Sequence, residues 1–268
     1  MNVTLMLRAA RGRALPRLTG QFRSPTWVLY ETLLPLLGTT AFVFVYRALG
    51  APDRFVSYVI MGGAAVAFWM NVLWMMAAQF YWEKRTGNLD VFMVSPCGLT
   101  PILLGMSAGG IVATLLRAAA VVAIGTLVFH ASFDLSRLPA VVGVFTLSLV
   151  ALYGLGATLA SLFLYWGRES WHVASLFVEP VVLASGVYFP VHALGFGVGL
   201  AASVVPLTLA LDALRQLLIG PAHPALLSLP VEVTGLAGLA VAYVALARFA
   251  LTRMERLARR EGRLSRRY

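Results

Sequence analysis

Long apolar runs are the feature that most restricts how this 268-residue chain can fold. Hydrophobic residues make up 60% of the sequence and charged residues only 12%, whereas soluble domains carry about 25% charged residues. A helix that crosses a bilayer needs ~20 mostly apolar residues, and a chain inside lipid must satisfy its own backbone hydrogen bonds. We therefore predict an all-α integral membrane protein with six transmembrane helices, at about Trp27–Leu49, Phe55–Tyr81, Leu99–Phe129, Leu138–Tyr165, His172–Phe189 and Ala225–Ala250.

The positions of the 21 Lys and Arg residues predict how these helices are oriented. Most of them fall before the first span, after the second span or in the C-terminal tail, whereas Arg47, Arg54, Arg137 and Arg215 fall on the opposite side. Because cytoplasmic loops are enriched in Lys and Arg, we expect both termini in the cytoplasm. The basic ends suit anionic membrane lipids, and without interleaved aromatic residues they do not indicate nucleic-acid binding.

The sequence lacks the motifs of the common hydrolytic enzymes. Its single lysine, Lys84, stands in WEKRT, so the chain has no Gly-Lys-Ser/Thr loop for the phosphates of ATP. The four histidines and the one cysteine do not show the spacing of metal ligands. We predict no catalytic residue, no metal site and no cofactor bound directly by this chain.

Few ionisable residues fall inside the predicted spans, where a charge is costly and therefore a functional candidate. Arg117 lies in the third span and Glu179 in the fifth, while Asn71 and Gln79 add neutral polarity to the second. Both charged residues also have structural explanations, which are snorkelling or pairing within the bundle for Arg117 and a helix-packing hydrogen bond for Glu179. An ion-coupled secondary transporter is an alternative, but such a carrier needs essential intramembrane carboxylates and an internal repeat.

One charged segment interrupts the apolar runs after the second span. Its sequence is YWEKRTGNLDVFMVSPCG, from Tyr81 to Gly98. Leu89, Phe92 and Met93 follow helical spacing, which predicts a short cytoplasmic helix with an apolar stripe. Such a stripe on an exposed helix is typical of a segment that docks into a groove of a partner.

A second segment, Ser185–Gly220, is too apolar for an ordinary loop yet is broken by prolines and glycines. Irregular backbone at membrane depth is tolerated only where protein buries it or where it lines a cavity. We therefore predict one or two re-entrant helices in the outer leaflet before the last span. Asp212 and Arg215, three residues apart, are predicted to pair near the outer interface.

These two segments, in this order, resemble the permease subunit of type-2 ABC exporters, a family that includes drug, polysaccharide and lipid-linked exporters. The first is similar to the motif Glu-(Lys/Arg)-x-x-Gly-x-Leu-(Glu/Asp)-x-x-x-x-(Ser/Thr)-Pro through Glu83, Lys84, Gly87, Leu89, Asp90, Ser95 and Pro96. The second is similar to Ser-Gly-x-x-Phe-Pro … Pro-Leu-Thr-x-x-x-(Asp/Glu)-x-x-Arg through Ser185, Gly186, Phe189, Pro190, Pro206, Leu207, Thr208, Asp212 and Arg215. Glu179 departs from the family pattern, in which an apolar residue is expected at this position.

The resemblance covers essentially the whole chain and implies a single type-2 transmembrane domain. Residues 1–26 would form an interfacial elbow helix, residues 27–250 the six-helix membrane domain and residues 251–268 a basic cytoplasmic tail. The resemblance further implies a multi-pass protein of the bacterial cytoplasmic membrane that pairs with a second permease, either identical or a paralogue.

The resemblance also assigns roles to the two segments. The first becomes a coupling helix that docks on a separate ATPase subunit, which binds ATP and Mg²⁺, through Glu83, Lys84, Gly87, Leu89, Asp90, Phe92, Met93, Ser95 and Pro96. Glu83 and Asp90 are expected to meet basic groups of the ATPase, and the apolar residues to fill its groove. The second segment becomes the outer gate, with Ser185, Gly186, Phe189, Pro190, Pro206, Asp212 and Arg215.

The cargo pathway is expected where the first and fifth spans meet the second permease. Its candidate lining is Phe42, Phe44, Tyr46, Glu179 and Tyr188. The aromatic residues are equally well explained by ordinary packing or by an interfacial belt. An apolar and aromatic lining favours an amphipathic drug, natural product or lipid as cargo, and a polysaccharide or lipid-linked glycan is the alternative.

Overall fold

The computed structural model describes residues 3–95, 98–166, 169–220 and 223–260, and the regular elements within these ranges are all helical. The prediction of an all-α fold is thereby confirmed. A π-helix at Asn71–Ala77 joins the third α-helix to the fourth, and a 3₁₀-helix at Val191–Leu194 precedes the ninth. The α-helices are α1 (Val3–Phe22), α2 (Pro25–Ala48), α3 (Arg54–Met70), α4 (Gln79–Arg85), α5 (Asn88–Val94), α6 (Leu99–Phe129), α7 (Leu138–Trp166), α8 (Glu169–Ala184), α9 (Phe196–Ala202), α10 (Pro206–Leu218) and α11 (Leu229–Arg260).

Five of these helices are long and apolar enough to cross a membrane, and the number rises to six if α9 and α10 are counted as one bent span. The five stretches are Val28–Ala48, Arg54–Trp74, Leu99–Phe129, Leu138–Phe163 and Leu229–Leu257. Each of them coincides closely with a predicted span. Between α9 and α10 the axis turns by 114°, which fits the predicted re-entrant segment.

The helix observed at the predicted fifth span, His172–Phe189, is shorter than a membrane span requires. Its helix α8 ends at Ala184 and has 16 residues, so it rises about 24 Å, less than the ~30 Å hydrocarbon core. The helix ends there because the chain turns at Gly186, whose φ of +63° only glycine adopts without strain. Apolar composition alone did not reveal this turn.

The helix α1 packs along the first half of α6. It continues without a break through Pro16. Two glycines of α6 allow the close approach, since a side chain at Gly105 or Gly109 would overlap the backbone of Ala10 or Ala14. The N-terminal helix is therefore held against the bundle, and its position at the membrane surface stays a prediction.

The core of the bundle is built around α3, the π-helix and α10. Buried side chains of these elements include Trp69, Leu73, Leu207 and Leu211. The helix α7 packs mainly along α11, whereas α2 packs mainly on α3 and leaves most of its apolar surface uncovered. In a bilayer such a surface faces lipid or another membrane protein.

A close backbone approach fixes α3 against the segment that follows α8. A Cβ atom added at Gly62 would overlap the carbonyl group of Val187. We expect Gly62→Ala to lower the free energy of unfolding by about 1–3 kcal/mol, because the segment must shift to make room. Thermal unfolding in detergent measures the loss. The matched control is Gly143→Ala on α7, where nothing lies within 4 Å of the added methyl group; an equal Tm for both variants would contradict the assignment.

Candidate functional site

The side chain of Arg215 organises the end of the bundle that was predicted to face outwards. It is almost completely buried and donates hydrogen bonds to the carbonyl oxygens of Gly186 at 2.6 Å, Val187 at 2.6 Å and Tyr58 at 3.1 Å. Its guanidinium carbon lies 3.4 Å from the centroid of the Tyr58 ring, a cation–π contact. One planar cation thus joins α10, α3 and the irregular segment after α8.

The predicted pair between Asp212 and Arg215 is wrong. Asp212 is engaged elsewhere: its Oδ1 lies 2.7 Å from Nε2 of His223, and its Oδ2 accepts the backbone N–H of Leu226 at 2.8 Å. Among the described residues no ion pair joins Asp212 to Arg215. The spacing of three residues puts the two side chains on one side of α10, but Arg215 reaches towards α3 whereas Asp212 holds the connection to α11.

The other predicted gate residues lie around the same arginine. The hydroxyl of Thr208 is 3.0 Å from that of Ser185 and donates to the carbonyl oxygen of Ala202 at 2.8 Å. Pro206 is buried and begins α10, a position where its missing N–H costs nothing. Phe189 and Pro190 are half-buried in the segment between α8 and the 3₁₀-helix. The structure therefore brings the second motif together, and its role as a gate stays a prediction.

Two residues near this cluster were missed at the level of the sequence. Glu232 is buried in the first turn of α11, accepts a hydrogen bond from Nε2 of Gln216 at 2.6 Å and accepts the N–H of Leu227 at 3.3 Å. The second is His223, the partner of Asp212. Glu232 could have been found from its place at the start of an apolar helix, because a carboxylate there interacts favourably with the positive end of the helix dipole. Its contact with α10 could not, because no local sequence pattern indicates that contact.

Three of the candidate pathway aromatics meet at the outer end of α2. The ring of Phe42 stacks on that of Tyr188 with centroids 4.0 Å apart, and the hydroxyl of Tyr46 donates to the carbonyl oxygen of Tyr188 at 2.9 Å. Phe44 points to another side and makes an edge contact with Phe129. Glu179 is exposed on α8. Which of these residues touches cargo stays a prediction.

At the opposite end of the bundle, Glu83 connects the predicted coupling segment to α1. Its Oε1 accepts hydrogen bonds from Arg13 at 2.7 Å and from Gln79 at 2.9 Å, and its Oε2 accepts one from Asn88 at 2.8 Å. Arg13 also lies over the ring of Phe92, 4.5 Å from its centroid. Glu83 thus joins α4, α5 and α1, and its expected contact with basic groups of an ATPase stays a prediction.

The apolar stripe of α5 also faces inwards. Leu89 is 1% exposed and Phe92 is 8% exposed, and both belong to the central core, so as placed they do not fill a groove on another subunit. Among the described side chains of α5, the exposed apolar one is Val91, at 67%. The stripe was correctly predicted, but its partner is this chain.

The turn before α5 follows the predicted pattern. Gly87 has a φ of +77°, a conformation that suits glycine, and it separates α4 from α5. Arg85 is exposed beside it, and Lys84 and Ser95 are half-buried. The side chains of Asp90 and Met93, and all of Pro96, lie outside the described residues.

Between these two ends, charged side chains are paired inside the helix bundle. Arg117 of α6 forms an ion pair with Glu31 of α2, which confirms that Arg117 pairs within the bundle. Glu31 was missed because it stands near the start of an apolar run and has no motif. Nearby, burial lowers the pKa of Arg17 on α1, an effect that the negative charges of Glu83 and Glu31 oppose.

Asn71 marks the irregular part of the second span. Its side-chain oxygen accepts a hydrogen bond from the hydroxyl of Tyr153 on α7 at 2.7 Å, and its amide group packs against Gly110 of α6. The π-helix begins at this residue, and such wide turns often lie at functional sites. Asn71 thus places a polar contact among three helices at membrane depth.

The described part of the chain contains no group of three or more His, Cys, Asp or Glu side chains that could hold a metal ion. Buried side chains such as those of Arg215, Glu83 and Thr208 contact carbonyl oxygens or other polar side chains. This is the arrangement of a membrane protein whose polar residues fix helices at both ends of a bundle.

The apolar helices are those of a multi-pass membrane protein. The profile of the ABC-2 type transporter family matches residues 17–219, which include both motif segments. The chain therefore belongs to the ABC-2 type transporter family, and the resemblance is confirmed. Members of this family are the membrane components of ABC transporters, which in general act with an ABC ATPase. No curated protein sequence matches the chain with significance.

The contacts of Glu83 predict unequal effects for the two partners of the ion pair. Glu83→Ala removes the acceptor of three hydrogen bonds and should cost about 2–3 kcal/mol of unfolding free energy. Arg13→Ala removes one partly exposed partner and should cost about 1 kcal/mol. Thermal unfolding in detergent measures both, and Arg8→Ala, an exposed position on the same helix, is the control. An Arg13→Ala variant less stable than Glu83→Ala would refute this ranking.

The hydrogen bonds of Arg215 to three carbonyl oxygens give a second prediction. Arg215→Gln should lower the free energy of unfolding by about 3 kcal/mol or more, because buried carbonyl groups lose a charged donor. Arg215→Lys should lose almost as much, since a single ammonium group does not reproduce the planar fork of a guanidinium. The exposed Arg54→Gln should have little effect. If Arg215→Lys unfolds at the same temperature as the unmodified protein, charge alone suffices and the fork is not needed.

Proposed function

We propose that this chain is the transmembrane subunit of an ATP-driven exporter, which couples to separate ATPase subunits and forms an export pathway with a second permease. The observation that carries the proposal is the family match over residues 17–219 together with a short charged helix pair, α4 and α5, at one end of the bundle. ATP and Mg²⁺ bind to the ATPase partner.

The coupling surface that we propose is the outward face of α4 and α5. Its exposed side chains include Trp82, Arg85 and Val91. This face replaces the buried Leu89 and Phe92 as the part that enters the groove of the ATPase. Because Glu83 fastens the pair to α1 and to its own helix, a push on this face moves α1 and the lower end of the second span together.

The proposed pairing with a second permease, either a copy or a paralogue, rests on the uncovered surface of α2 and α8. Leu29, Leu33, Leu37 and Phe44 of α2 and Leu176 and Leu183 of α8 are all exposed. Lipid tails are as apolar as these residues, so packing and polar contacts rather than hydrophobicity drive helix association in a bilayer. Glu179, exposed on α8 at this depth, is the polar group that a partner would need to cover.

The cargo that we propose is an amphipathic small molecule, such as a drug, a natural product or a lipid. Phe42 and Tyr188 supply a stacked aromatic surface beside the exposed face of α2, and Glu179 supplies one carboxylate. We further propose that both termini lie in the cytoplasm of a bacterial cell, since the basic side chains of α1 and the end of α11 favour that side.

A single substitution tests the coupling surface. Val91→Asp places a charge on the most exposed apolar residue of α5 and should abolish co-purification of an ABC ATPase with this chain while leaving the Tm of the chain unchanged. Arg23→Asp, an exposed position between α1 and α2, is the control for an added negative charge. Full ATPase binding by Val91→Asp would remove this face from the proposal, and transport in vesicles driven by an ion gradient without any ATPase would remove the proposed function itself.

A further inference from the structure

An apolar cavity opens between α6 and α7. These helices follow each other in the chain but pack against different neighbours, α6 along α1 and α3 and α7 along α11 and the π-helix. The space left between them is a cavity of about 280 Å³ whose floor is formed by α3 and α10. Its lining includes Met61, Phe68, Leu115, Ala119, Phe145 and Leu214. Leu115 and Ala119 are exposed at its mouth, so the cavity is open towards the surrounding bilayer.

The chemistry of the lining selects hydrocarbon. Ser148 is the one residue of the lining with a polar side chain, and its hydroxyl already donates to the carbonyl oxygen of Val144 at 2.7 Å. A cavity without free polar groups does not hold ordered water. Its natural occupant is therefore an apolar chain that enters from the bilayer.

The cavity opens in the outer half of the bundle and extends inwards. Met61 lies seven residues after the start of α3 and Phe145 seven residues after the start of α7, so both are about 10 Å from the same end of the bundle. Phe68 and Leu152, which also line the cavity, are about 21 Å from that end. This is the end at which Arg215 binds the segment after α8, and the charge distribution places it outside. The cavity thus runs from the acyl chains of the outer leaflet to the middle of the bilayer.

An exposed cation, Arg137, stands directly before the first residue of α7. Its carbonyl oxygen accepts the N–H of Val141 at 3.1 Å, so the helical spacing extends back to Arg137 and places it in line with Val141 and Phe145. Among the described residues no carboxylate forms an ion pair with Arg137, and the nearby Asp134 accepts the backbone N–H of Ser136 at 2.8 Å. Along the axis of α7 the cavity lining begins at Val141, about 6 Å from Arg137, and ends at Leu152, about 22 Å from it, which suits the phosphate and the acyl chain of one phospholipid.

We propose that the cavity is a binding site for one phospholipid of the outer leaflet, with an acyl chain between α6 and α7 and the phosphate at Arg137. The bound chain packs against Leu211 and Leu214 of α10 and so supports the helix that carries Arg215. The site is separate from the exposed face of α2 and α8, and it does not depend on the proposed export function.

Photolabelling in proteoliposomes tests the acyl-chain site. The probe is a phosphatidylcholine with a diazirine in the middle of one acyl chain, and the labelled residues are mapped by mass spectrometry. We expect labelling concentrated on the cavity residues of α6, α7 and α10, and a several-fold loss in Ala119→Phe, which fills the mouth. Ala242→Phe, at an exposed position of α11, should keep full labelling. Labelling spread evenly over exposed helix faces, or unchanged in Ala119→Phe, would overturn the proposal.

Two further arms keep the result decisive. Arg137→Gln should reduce labelling by the phospholipid several-fold but not labelling by a diacylglycerol with the same photoreactive chain, whereas Arg54→Gln should change neither. If Ala119→Phe does not elute as a folded protein, Leu115→Trp at the same mouth replaces it. Displacement of the label by an amphipathic cationic dye but not by excess unlabelled phospholipid would assign the cavity to cargo and refute the lipid site.

Discussion

The structure depends on how it satisfies the backbone where the chain is not helical. Between α8 and the 3₁₀-helix the carbonyl groups of Gly186 and Val187 take no part in a regular helix, and in lipid an unpaired carbonyl group is costly. Arg215 donates hydrogen bonds to both and to the carbonyl oxygen of Tyr58. The irregular segment is stable beside α3 because one buried cation reaches all three carbonyl oxygens.

At the other end of the bundle a buried charge again joins several elements, but there the charge is negative. There a carboxylate, Glu83, is the centre, and its partners Arg13, Gln79 and Asn88 come from α1, α4 and α5. Arg117 and Glu31 form a further pair between these ends. Glu83 and Arg117 thus each have a partner of opposite charge within the described part of the chain, and these contacts fix the positions of the helices that they join.

The sequence predicted the elements far better than their contacts. Run length identified five long helices with ends that differ from the observed ones by up to seven residues. The glycine and proline pattern of residues 185–220 predicted a break in the helices there, and the chain does bend between α9 and α10. Periodicity also found the stripe of Leu89 and Phe92, but it does not say which partner covers a stripe, and here the partner is the chain itself. Glu31, His223 and Glu232 were missed because their partners are distant in sequence or lie in a loop. The spacing of Asp212 and Arg215 suggested a pair, yet each side chain found a better-placed partner.

The π-helix at Asn71–Ala77 has a mechanical consequence for the second span. Above it, α3 is fastened at Tyr58 by the outer arginine; below it, α4 is fastened by the Glu83 network. A helix whose two ends are held in place deforms most easily where its hydrogen-bond pattern is least regular. Displacement of the inner end would therefore be absorbed first in these seven residues, so the middle of the membrane, rather than either rim, is where strain in this helix accumulates.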